Sequence, residues 1–71
     1  MQSDTTLRME LLHEGLNVSL RKMMNVDKIV SIEHSKENLK LLSQIKIQTE
    51  KEIEYYTKKI QELRDDNEQT I

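Results

Sequence analysis

The sequence predicts an all-α fold: two helices, as a hairpin or one long bent rod, with a C-terminal coiled-coil segment, completed by oligomerisation or partner helices. Three observations carry this expectation. Only one Gly and no Pro punctuate the 71 residues, so the turn chemistry of a sheet-based fold is missing. Two Tyr stand without any Phe or Trp, few aromatics for a sandwich or barrel. Apolar residues recur at steps of three and four along most of the chain, the spacing that keeps side chains on one helix face.

The first element has its start signal in Ser3-Asp4-Thr5-Thr6, where a short polar side chain can accept from the first free backbone N–H groups. From there an amphipathic helix is expected over about 4–25. Met9, Leu12, Leu16, Leu20 and Met23 mark its apolar face, and Leu7, Leu11 and Val18 widen it. A sector this wide fits packing against two or more helices. Gly15 interrupts it at a cost of about 1 kcal/mol against Ala, which reads either as close helix approach or as tolerance. Met9, Met23 and Met24 read as core filling at helical spacing, with a flexible contact patch as the alternative.

Between the elements, Asn25, Asp27 and Ser31 alternate with Val26, Ile29, Val30 and Ile32, capping types among β-branched residues of weak helix preference. A turn or kink is expected there. If Asn25 or Asp27 caps a second helix, that helix covers about 28–67, twice the length of the first, and its C-terminal half projects.

The second element carries a seam from about residue 39, through Leu39, Leu42, Ile45, Thr49, Ile53, Tyr56, Ile60, Leu63 and Asn67. Ile53, Tyr56, Ile60 and Leu63 alternate by three and four as a heptad, while consecutive fours around Thr49 read as a stutter. Lys46 falls beside the seam, where a polar group could set register. With Tyr56 in the seam, Tyr55 points outward. Glu54 with Lys58, Lys58 with Glu62 and Arg64 with Glu68 are each four apart and read as solvated pairs.

Charge and composition exclude more than they assign. The net charge is -2 and no basic stripe exists beyond Arg21-Lys22, so nucleic-acid binding is not expected. No apolar run approaches the roughly 18 residues that span a bilayer, and the mixed charge of Arg8, Glu10, Glu14, Arg21 and Lys22 argues against a membrane-surface helix. Cysteine is absent, which removes disulfides and thiolate chemistry and fits a reducing, intracellular compartment, cytoplasmic or nuclear.

Candidate catalytic and metal residues reduce to fragments. Glu10 and His13 have the three-residue offset of di-iron bundle ligands, but no second copy completes the set. His34 sits near Glu33 and Glu37, and Ser31, His34 and Asp27 could be written as a triad. A lone helix gives these groups neither a held substrate nor a desolvated pocket. No cofactor, metal or small-molecule substrate is expected.

What remains is a non-enzymatic protein–protein interaction subunit, a scaffold or adaptor in a multi-protein complex. The alternative is a small helical regulator docking on a target enzyme. A single core in a chain this short supplies only about 3–5 kcal/mol, so partner helices are the expected source of the rest. The interface residues expected from the pattern are Leu12, Leu16, Leu20 and Met23 on the first helix. On the second they are Leu39, Leu42, Ile45, Ile53, Tyr56, Ile60 and Leu63.

Overall fold

The computed structural model describes residues 4–69, and side chains as far as Asp66. Two helices make up the fold, α1 over Asp4–Ile32 and α2 over Lys36–Gln69, packed antiparallel as a hairpin. The open choice between hairpin and rod is thereby decided. The molecule measures 54 × 21 × 13 Å. Its smallest dimension is about one helix diameter, so the hairpin is a single layer with both broad sides bare.

The break falls at residues 33–35, later than the Asn25–Asp27 region where the sequence suggested it. Burial explains why the helix continues through the β-branched stretch. Val26 is 5% exposed, and burying a valine contributes about 1.5–3 kcal/mol, against a propensity cost of a few tenths. The helices are therefore close to equal, 29 and 34 residues, and no half of α2 projects alone.

Local polar groups make the turn without glycine. The Glu33 carboxylate accepts from the backbone N–H of His34 at 3.1 Å and of Ser35 at 3.0 Å. Ser35 caps α2, its Oγ accepting from the Asn38 N–H at 3.4 Å and its carbonyl from the Leu39 N–H at 2.9 Å. Those bonds hold the Glu33 carboxyl below its ordinary pKa: the Ser35 N–H is the main cause, desolvation opposes it, and the Asn38 side chain and His34 N–H add to it.

Along the seam, Met9, Leu12, Leu16, Ser19, Met23 and Val26 of α1 alternate by three and four and are all at least half-buried. They face Leu39, Leu42, Thr49, Ile53, Tyr56, Ile60 and Leu63 of α2. Gly15 is a close approach. A Cβ there would lie 2.6 Å from Cε1 and Cζ of the Tyr56 ring, so only glycine leaves room for it.

The middle of the seam is polar. Thr49 is 0% exposed and donates from Oγ1 to the Ile45 carbonyl at 2.7 Å, satisfied within its own helix. Buried Ser19 donates to Glu52 Oε2 at 3.1 Å, and Lys22 Nζ lies 3.3 Å from both oxygens of that carboxylate. On the opposite edge Lys46 Nζ reaches Asp27 Oδ1 at 3.5 Å. Both ion pairs are partly exposed and contribute about 0–1 kcal/mol each, so they set register more than stability.

Lys46 also revises the seam's path. Ile45 is 40% exposed, whereas Lys46 spans the edge toward α1, its long stem carrying the ammonium to Asp27. Through Leu42, Lys46, Thr49 and Ile53 the steps are four, three and four, so the heptad is continuous and the stutter disappears. The described α2 ion pair on the exposed side is Lys59–Glu62 at 3.3 Å rather than Glu54–Lys58 or Lys58–Glu62. The side chains of Asn67 and Glu68 lie outside the described residues.

Candidate interaction surface

Nine of the eleven residues expected at a partner interface line the seam between the chain's own helices. They are Leu12, Leu16 and Met23 of α1 with Leu39, Leu42, Ile53, Tyr56, Ile60 and Leu63 of α2. Leu20 and Ile45 stand outside that seam and are exposed. The surface left for another molecule is therefore built from different side chains, and the two broad sides of the hairpin are unlike.

One side is apolar on both helices. Leu11, Val18 and Ile29 of α1 and Leu41, Ile45 and Tyr55 of α2 are exposed. The Lys22–Glu52 pair fixes their placement: Ile29 is seven residues beyond Lys22, and Ile45 seven before Glu52, so each shares the edge its charged neighbour defines. At the terminal end, Leu11 and Tyr55 share an open groove of about 610 Å³ with Arg8, Lys59 and Asp66 on its rim. Tyr55 is held there by an edge-to-face contact with Tyr56, centroids 5.6 Å apart, and by Lys59 Nζ at 5.8 Å from its ring centre.

The other side carries fewer apolar residues. Leu20, seven residues before Asp27, and Met24 are exposed there. From α2 come Ser43, Glu50, Thr57 and Arg64, every seventh residue and all exposed, with a single exposed Ile47 between the first two. Such a surface is at home in water.

The fragments of chemistry stay fragments. Asp27 is engaged by Lys46, and Ser31 Oγ donates to the Lys28 carbonyl at 2.6 Å, so neither is directed at His34. Glu10, His13 and His34 are exposed on helix or turn surface. Among the described residues no group of three or more His, Asp or Glu could hold a metal ion, and no helix is long and apolar enough to cross a membrane.

The residues that sequence reasoning missed are polar or small in their partner. Ser19 broke the apolar series of α1 yet is buried, because Glu52 gives its hydroxyl a partner. Its position three beyond Leu16 and four before Met23 was a usable signal. Ser35, followed by Glu37 in the first turn, was likewise a legible cap. Compared with known proteins, the chain matches no protein-family model, no curated protein and no solved structure.

Proposed function

We propose that this chain is a non-enzymatic protein–protein interaction subunit, a helical hairpin that joins partner helices through its apolar broad side and serves as scaffold or adaptor. One observation carries the reading. The chain exposes 5940 Å², whereas a folded monomer of its mass exposes about 4,700 Å². The surplus follows from the single-layer shape, 54 × 21 × 13 Å, which leaves Leu11, Val18 and Ile29 of α1 and Leu41, Ile45 and Tyr55 of α2 exposed on one broad side. The groove that Leu11 and Tyr55 share is open to solvent, which suits a side chain from another helix better than a reaction that must exclude water. The absence of cysteine supports an intracellular setting.

The test is co-purification of tagged full-length chain from its native source with quantitation of stoichiometric protein, further copies of the chain included. Val18→Glu and Leu11→Glu are expected to keep helicity and lose the partner, because each puts a carboxylate into a drying interface. Recovery of no stoichiometric protein, or recovery by both variants equal to that of the unaltered chain, sinks the proposal.

A further inference from the structure

Resting on that reading, the pattern of the apolar side selects the partner. At the connection end Ile29 and Ile45 are exposed at similar heights along the hairpin; in the middle stands Lys22 with Glu52; three or four residues further toward the termini stand Val18 and Tyr55. At each height, what α1 presents is complementary to what α2 presents. A surface of this kind complements itself under a two-fold axis along the hairpin, which lays α1 of one copy over α2 of the other with both connections at the same end.

In that arrangement Ile29 meets Ile45, Val18 meets Tyr55, and each Lys22 faces a Glu52 of the other copy. The alternative two-fold, with connections at opposite ends, stacks α1 on α1 and α2 on α2. Centred on Lys22 and Glu52, it sets Lys22 against Lys22, Glu52 against Glu52, and Ile45 against Lys59. Apolar groups would face polar ones and like charges would meet, so charge complementarity chooses the first.

Area agrees with the choice. One broad side of a molecule 54 Å long and 21 Å wide spans about 1,100 Å², and a stable interface needs about 800 Å² from each partner. We infer that the occupant of this side is a second copy of the chain, giving a two-fold four-helix bundle in which α1 pairs with α2 of the other copy. Heptad spacing on both helices suits the shallow crossing angle, about 20°, that such bundles use.

Sedimentation equilibrium of the full chain, from about 1 to 200 µM, tests the stoichiometry. The expected mass is twice 8.5 kDa. Val18→Glu and Ile29→Glu should raise the dissociation constant at least about tenfold with helicity kept, while Leu20→Glu and Met24→Glu on the other side should leave it unchanged. Because the chain has no cysteine, single replacements report orientation. An oxidised mixture of Val18→Cys chains and Tyr55→Cys chains should yield the mixed disulfide, and Val18→Cys alone should not cross-link. A helical monomer throughout, equal weakening from both sides, or efficient Val18→Cys cross-linking overturns the inference. If the chain is monomeric but Val18→Glu still loses a different co-purifying protein, the inference fails and the interaction-subunit reading survives.

Discussion

Helix α1 carries two apolar stripes of one spacing, and the hairpin covers only the inner one. Met9, Leu12, Leu16, Ser19, Met23 and Val26 run down its inner side, all at least half-buried. Leu11, Val18, Asn25 and Ile32 follow at intervals of seven on the outer side, and all are exposed. The difference lies in the neighbours of each stripe. Beside the inner one, Gly15 admits the Tyr56 ring, Ser19 binds Glu52, and Asp27 binds Lys46. Heptad spacing makes a stripe able to pair; small residues and cross-helix polar contacts decide which stripe pairs with which helix.

The strongest way to break this asymmetry is at Ile60, 6% exposed on the covered side. Ile60→Asp buries an unpartnered carboxylate and is expected to remove several kcal/mol, comparable to the whole of what a core this small supplies, about 3–5 kcal/mol. Gln61→Asp, exposed on the next position, should be nearly neutral. Thermal melts followed by circular dichroism compare them, and equal losses would mean that the covered side is misassigned.

Gly15 offers a sharper test, because two known effects have opposite signs there. Ala gains about 1 kcal/mol of helix preference over Gly. Against that, its Cβ would press on the Tyr56 ring, and overpacking of this kind costs about 1–3 kcal/mol. The expected outcome is a lower melting temperature for Gly15→Ala, relieved when Tyr56→Leu is added. A rise in melting temperature for Gly15→Ala alone would show that the ring does not rest on the glycine.

The smallest effect concerns the turn that lets the inner stripe be covered at all. Glu33 accepts from two backbone N–H groups of the turn, so its pKa is lower folded than unfolded. Its contribution is fully present above the ordinary glutamate pKa of about 4.3 and is lost as pH falls through the lower folded value. Glu33 is solvated, so the stability change is slight and the direct readout is better. The amide resonances of His34 and Ser35 should titrate with a midpoint below that of an ordinary glutamate, and Glu33→Ala should abolish that titration.

The helical class was legible in the chain, as was the outward and inward assignment of Tyr55 and Tyr56, since both follow from period and composition. The break was not. Asn25, Asp27 and the β-branched residues after them read as a turn, yet the helix runs on because Val26 is buried against α2, a contact no local pattern encodes. The path of the seam through Lys46 was missed for a related reason: lysine reads as surface until an Asp27 across the hairpin receives it. The interface residues expected from the pattern were apolar residues of suitable spacing, and spacing alone does not say whether a stripe meets its own chain or another.

By itself, then, the sequence determined that the chain is helical, where its apolar stripes lie and how they are spaced, because those properties depend on neighbours three, four and seven residues away. Tertiary structure alone decided that the two helices fold back on each other, that Gly15 serves the Tyr56 ring, and which stripe stays exposed. Each of these rests on contacts between residues far apart in the chain, such as Ser19 with Glu52, whose energies appear only once the chain has turned at Glu33 and Ser35.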